Sequence, residues 1–567
     1  MKKLNLRYAM VILVGIFIYS CQENDYLNEE QAQQEESLIE DPFTDIPRLK
    51  NPYSVVNMKK ALESLRSKSE EEYSDAKIYT THYYIKFTPR NEKEYDILKT
   101  DSVLDLYKYP LDVEEWIIPK LISLNRHSGK PPTMWCAVKV DHEMPKGCPY
   151  EILEHLHIPD AYKIGDEKHQ KNKSNYVEQL VEESMHLTGN LNRDSSKNIS
   201  YSNSEWRPAG TINVWDDNIG TTIMTRQVFS HIEYYDCGTG VIYPDCESMD
   251  GITELTIPTC CQRDVYISEP YIVNGSFIGV EGVVVRARRW FTTHRGIVNI
   301  NGNYLCDGTF RRPANYSIDW ERYEFALQDG WLNGATYNGP KRTGDWNLDL
   351  NSGKQEFYAT IFRAAYHYYY KNIKGLRRPP QNSLWRTQMK IRAKYEENGN
   401  GSHKEERRFL GAQIKIYSPQ RESMEIYAST IHELAHASHW NMDRSEFDNS
   451  SPIVKESWAR GVEWELTRIV YPTYSPDYSR LRYTGVVEDM IDGFKTRTSK
   501  YYWTENITWI PLDKSYSDSV SGYSVRQIED ALQSKKTWTD WKNNIINKFS
   551  NGTASKLHDC FNHWNTQ

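Results

Sequence analysis

The pattern of apolar and polar positions changes character along the chain. IYTTHYYIKF (78–87) alternates and is rich in β-branched and aromatic residues, so it reads as a strand. EKEYDILKTD (92–101) reads as a helix and MWCAVKVD (134–141) as a further strand. Residues 76–165 are therefore expected to form a small α+β domain. Before it, 21–75 reads as an acidic tether and linker with one helical stretch around 55–66. After it, 166–205 reads as a second linker, because NLNRDSSKNISYSNSE (190–205) has almost no large apolar residue.

From 206 to 325 short alternating segments are broken by Gly, Pro and Asn-Gly. GVVVRARRWF (282–291) is a strand, Asn301-Gly302 a turn, and Tyr316, Ile318 and Trp320 alternate. The run IGVEGVVVRARRWFTTHRGIVNINGNY resembles the transthyretin-like, carboxypeptidase-regulatory-like modules of Bacteroidota surface proteins. That resemblance implies a β-sandwich with no chemistry of its own. His294 within it is expected on a surface loop.

Beyond residue 326 the period becomes helical. KQEFYATIFRAAYHYYYKNI (354–373) places Phe357, Ile361, Ala365 and Tyr368 on one face, with His367 packed or solvated. LGAQIKIY (410–417) alternates as a strand, and helices are expected over 423–442, 454–470, 486–494, 524–534, 537–549 and 553–564. The expected fold class is thus multidomain α+β, ending in a mostly helical domain over 326–567.

Composition narrows the class. The 567 residues are 39% hydrophobic and 26% charged, as in ordinary globular proteins. The net charge of -8 argues against a nucleic-acid partner. Lys2, Lys3 and Arg7 precede an apolar run from Tyr8 to Ile18, too short to span a bilayer, so 1–20 reads as a signal peptide. Ile18-Tyr19-Ser20-Cys21 resembles a bacterial lipobox, which implies lipidation of Cys21. The acidic run that follows resembles the surface-export signal of Bacteroidota lipoproteins, and implies an outer-membrane, cell-surface location. Of the eight other cysteines, Cys136/Cys148 and Cys237/Cys246 are the local pairs expected first as disulfides.

The candidate chemistry sits in IHELAHASHW (431–440). His432 and His436, four apart on a helix, project from one face and can reach one metal ion. Glu433 beside them can take a proton from water on that ion, as a general base does. A His-acid-x-x-His pattern arises by chance roughly 0.06 times in a chain of this composition, so the motif carries weight. The competing reading is a solvent-exposed helix with incidental histidines. A catalytic zinc needs three protein ligands and an open position. His439 does not extend the motif: a metzincin needs a third histidine where Met442 stands. The next helix, IVKESWARGVEWELTR, offers Glu456, Glu463 and Glu465.

His432-Glu433-x-x-His436, nineteen residues, then Glu456-Ser457-Trp458-Ala459 resembles the gluzincin arrangement of thermolysin-like metallopeptidases. The resemblance covers about forty residues. It implies Zn²⁺ on His432, His436 and Glu456 with Glu433 catalytic, in a two-subdomain zincin. It also implies that Leu410–Tyr417 is the edge strand over the cleft. Arg460 stands where that family has an acid supporting the first histidine, so that support comes from elsewhere, with Glu463 and Glu465 as candidates, or is absent. The family's downstream histidine has no counterpart in His558 or His563, so a tyrosine among Tyr471, Tyr474, Tyr478, Tyr483 and Tyr523 would take its place. The function expected is a surface-anchored zinc endopeptidase acting on extracellular protein, peptide or glycoprotein. The alternative is a non-catalytic glycan- or protein-binding lipoprotein in which the zinc helix is structural.

Overall fold

The computed structural model describes residues 43–565 apart from 71–72, 74–75, 128–130, 160–169, 192–204, 239, 244–259, 331–332, 383–387, 398–401, 404–413, 418–420, 479–481, 494–500, 504–508 and 512–517. The signal peptide, Cys21, nearly all of the acidic tether and Cys246 lie outside the described residues. The protein is a mixed α+β chain. None of its described helices is long and apolar enough to cross a membrane.

The N-terminal part opens with α1 (Val55–Lys68), whose first turn is closed by Ser54 accepting from the Asn57 N–H at 3.1 Å. Then follow β1 (His82–Phe87), α2 (Glu92–Thr100), α3 (Ile118–His127), β2 (Met134–Lys139), β3 (Tyr150–Leu156) and α4 (Gln170–Leu187). β1 is the centre of an antiparallel sheet ordered β2-β1-β3. Helix α4 occupies much of the stretch expected as linker over 166–205. Its Leu180, Val181 and Met185 are buried at helical spacing, and Glu183 accepts from Ser64 and Lys68 of α1 at 2.6 and 2.9 Å. The linker expectation missed this, because polar residues outnumber that narrow apolar stripe.

The middle part is dominated by two long antiparallel strands, β4 (Ala209–Asp236) and β6 (Cys260–Gly279), with the short β5 (Ile242–Tyr243) beside the tip. The disulfide Cys237–Cys261 closes this ribbon. Cys136 and Cys148 are separately buried free thiols, so that expected pair does not form, and Cys237 pairs with Cys261 in place of Cys246. Next come β7 (Val284–Arg289), β8 (Thr292–Ile297), β9 (Asn303–Leu305), β10 (Ala314–Asp319), β11 (Phe325–Gln328), β12 (Thr336–Arg342) and β13 (Leu348–Leu350). The turn before β9 uses Gly302 at φ +82°, a conformation that side-chain-bearing residues rarely adopt. One sheet runs β12-β10-β7-β8, while β13 and β9 join β4. His294 lies in β8 and is buried against Phe310, not on a surface loop.

The remaining elements are α5 (Gly353–Tyr370), β14 (Met389–Lys394), β15 (Ser402–His403), β16 (Ile414–Tyr417), α6 (Ser423–Met442), α7 (Arg444–Asn449), α8 (Pro452–Val470), α9 (Val486–Ile491), β17 (Tyr501–Trp503), β18 (Trp509–Pro511), α10 (Val525–Leu532), α11 (Trp538–Lys548) and α12 (Leu557–His563). The sheet behind α6 is ordered β11-β14-β16-β15, parallel except for β15. β16 is thus paired on both sides, and β15 rather than β16 is the outer strand. One hydrophobic core runs from Ile212 to Trp564, across the boundary expected at 325/326. β11 pairs forward with β14, while β12 and β13 pair back with β10 and β4. Helix α8 carries Gly461 against α9, where a Cβ would meet Val487 at 2.3 Å.

Candidate metal centre

Helix α6 is buried almost throughout, with Ile431, Leu434, Ala435 and Ala437 in the core. A buried helix cannot leave imidazoles and a carboxylate without partners at low cost. Its partner is α8, which begins with Pro452 in the first turn and packs along α6. Glu456, one turn into α8, meets both histidines. His432 Nε2 and His436 Nε2 are 3.1 Å apart, and each lies 3.3 Å from Glu456 Oε2. Ligands at ~2.0–2.1 Å around a tetrahedral zinc stand about 3.3 Å from one another, so the three donor atoms have the spacing of one face of that tetrahedron. The donor set of two imidazoles and a carboxylate suits zinc chemically.

The second ring nitrogen of His432 supports the same reading. Nδ1 donates to Glu463 Oε2 at 2.8 Å, which leaves the Nε2 lone pair facing the cluster. The other oxygen of Glu463 accepts from Arg460 Nη1 at 2.7 Å and from the Tyr474 hydroxyl. Of the two carboxylates the sequence left open, Glu463 is therefore the one beside His432. Glu465 pairs with Lys374 at 2.7 Å. Arg460, one turn after Glu456, serves His432 by holding Glu463 in place.

Electrostatics show a cradle that favours positive charge. Burial alone would lower the His432 pKa, but Glu456 and Glu463 overcome it and raise it to about 9. Burial likewise works to raise Glu456, but His436 and His432 hold its carboxyl far below the usual range. Glu433 differs. Burial raises its pKa to about 7 against the pull of the histidines, and its Oε2 has no hydrogen-bond partner among the described residues.

Tyr483 is the expected tyrosine that meets the ligand residues. Its ring stacks on His432 at 5.8 Å, and the Arg460 guanidinium lies 4.7 Å from its centroid. Tyr471 and Tyr478 donate to Asp216 and Glu488, and Tyr523 makes no side-chain hydrogen bond among the described residues. His439 is buried edge-on against Phe447, outside the ligand cluster. His558 accepts from Lys542 at 2.9 Å and His563 packs on Trp564.

A second buried network has no sequence motif behind it. Arg363 pairs with Asp216 at 2.8 Å, Tyr471 donates to the same carboxylate at 2.6 Å, and His367 Nδ1 lies 2.5 Å from the Tyr427 hydroxyl. It joins β4, α5, α6 and the residue that ends α8, and only long-range contacts create it. Set against protein-family models, curated proteins and solved structures, the chain matches none of them.

Proposed function

We propose that this protein is a gluzincin-like zinc-dependent endopeptidase, with His432, His436 and Glu456 holding the metal and Glu433 as general base. The observation that carries the reading is the convergence of His432 Nε2, His436 Nε2 and Glu456 Oε2 at 3.1–3.3 Å, with a buried carboxylate one residue from the first ligand. Zinc bound there would supply Lewis acidity, polarising a scissile carbonyl and acidifying the attacking water. Glu433 takes the proton of that water on Oε2 and passes it to the departing amine, so that one water and one amide become a carboxylate and an ammonium. Glu433 Oε2 is buried without a hydrogen-bond partner among the described residues, so it is free to take up and return that proton. Glu463 holds His432 in the tautomer that presents Nε2, and Arg460 and Tyr474 hold Glu463. Tyr483 is the residue proposed to donate to the developing oxyanion.

The setting proposed is the outer membrane at the cell surface, with Cys21 as lipid anchor and an extracellular protein or glycoprotein as substrate. A disulfide between Cys237 and Cys261 supports export, since such bonds persist in oxidising compartments. The test is elemental analysis of protein purified without chelators. It should hold about one zinc per chain, lost in His432→Ala. Zinc-free wild-type protein, or cleavage of a protein library that survives chelation, would overturn the proposal.

A further inference from the structure

The second network forms one wall of a cavity of about 520 Å³, set between the end of β6, α5, α6 and the end of α8. That volume lies in the ~300–1,000 Å³ range of small-molecule sites. The cavity is separate from the histidine cluster. Val470, on its lining, stands fourteen residues beyond Glu456 on α8, or about 21 Å along the helix axis. The other walls are apolar, made by Ile278, Ile300, Tyr366 and Ile469. Ile300 and Ile469 are 68% and 47% exposed and so mark the mouth. The Tyr366 ring is fixed in place. It stacks between Phe362 and Tyr370, with centroids 6.2 and 5.0 Å away, and Gly282 lies against it with no room for a Cβ. A wall held this way needs little reordering when a ligand arrives.

Three charged side chains reach the cavity: Glu281, Arg363 and Lys371. Lys371 and Glu281 pair with each other. Arg363 is different. Its side chain is only 10% exposed, yet it commits Nη1 alone, to Asp216 at 2.8 Å and to the Tyr471 hydroxyl at 3.5 Å. Nε and Nη2 make no hydrogen bond among the described residues. The guanidinium lies over the Tyr427 ring, 5.7 Å from its centroid, so its edge is what remains for a partner. Burial lowers the pKa of His367, so this histidine adds no fixed charge to the floor at neutral pH.

We propose that this cavity binds a small monocarboxylic acid with an apolar body, its carboxylate lying across the Nε and Nη2 edge of Arg363. Two parallel N–H donors on one guanidinium match the two oxygens of a carboxylate. The apolar walls then take the body of the acid. Other ligand classes fit less well. A cation would face Arg363, while the acid nearest to it, Glu281, is already held by Lys371. A neutral molecule would cover the fork and leave its donors unmade, which costs free energy. A peptide would press several backbone polar groups against walls that cannot satisfy them.

The test is calorimetric titration of the purified full chain with phenylpropionate and with its uncharged amide. The acid should bind at one site per chain, roughly 10–100-fold tighter than the amide. Arg363→Lys keeps a charge opposite Asp216 but removes the fork, and Ile469→Glu puts a negative charge at the mouth. Each should weaken binding of the acid about tenfold or more. Thermal unfolding shows that the variants are folded; should Arg363→Lys not fold, Ile469→Glu decides alone, because its position is on the surface. Excess phenanthroline, which strips zinc, should leave the affinity for the acid unchanged. The proposal is overturned by no binding of the acid at millimolar concentration, by equal binding of acid and amide, or by displacement with equimolar inorganic phosphate. Wild-type affinity in Ile469→Glu overturns it as well. So does loss of binding in phenanthroline, which would assign the acid to the metal centre. A chain that holds no zinc but binds the acid would sink the peptidase reading and leave this site standing.

Discussion

Replacing Glu463 by Gln tests the support beneath the first histidine. The substitution keeps volume and an oxygen for the His432 Nδ1–H, now 2.8 Å from the carboxylate, but removes the charge. Loss of such a carboxylate behind a ligand costs ~10–100-fold in metal affinity, or about 1.4–2.7 kcal/mol. A second cost follows in the metal-free fold, because Arg460 loses the partner 2.7 Å away while its side chain is only 14% exposed. Breaking a buried pair costs ~3–5 kcal/mol. The residual exposure and the Tyr483 ring place Arg460 toward the lower end of that range. The assays are zinc competition against a chelator of known affinity and denaturant unfolding of the metal-free protein. Adding Arg460→Gln to Glu463→Gln should recover part of the lost stability and none of the lost affinity. Zinc affinity within twofold of wild type in Glu463→Gln would refute the role given to Glu463.

Glu433→Gln should retain one zinc and lose ~10²–10⁴-fold in hydrolysis, read as kcat on a protein substrate; unchanged kcat removes Glu433 from the mechanism. The His432 pKa of about 9 in the metal-free protein means that a proton competes with zinc below that pH. Apparent zinc affinity should therefore rise about tenfold per pH unit from 7 to 9 and level off above, and a flat titration over that range contradicts the cradle described. Asp216→Asn leaves Arg363 buried without its counter-charge and should cost ~3–5 kcal/mol in unfolding free energy; less than 1 kcal/mol would mean the pair is dispensable. Gly461→Ala drives a methyl into Val487 and should destabilise by ~1–3 kcal/mol, seen as a lower midpoint in thermal unfolding; an unchanged midpoint would show that α9 gives way freely.

Much of this was legible where a single element decides. Helix α6 spans the expected 423–442 because His432 and His436 share a face with a consistent apolar surround. Glu463 was one of two open candidates, and helical geometry separates them. It lies seven residues, nearly two full turns, beyond Glu456 and so on the same face, whereas Glu465 at nine residues faces away, toward Lys374. What was not legible depends on register between distant segments. Cys237 pairs with Cys261 rather than Cys246 because β4 and β6 are aligned along a ladder from Asn213 to Asp236, a length that short alternating runs do not announce. The buried His294 follows from strand β8 packing onto Phe310, again a tertiary fact.

The interleaving of β11, β12 and β13 has a consequence for descent. Phe325 and Leu327 of β11 are fully buried in the sheet that backs the histidine helix, and the next two strands return to earlier sheets. A genetic crossover near residue 326 would strip a strand from each partner and expose core on both. A crossover at that point is therefore selected against, so the ribbon and the histidine helix are inherited together, and selection on either acts on both.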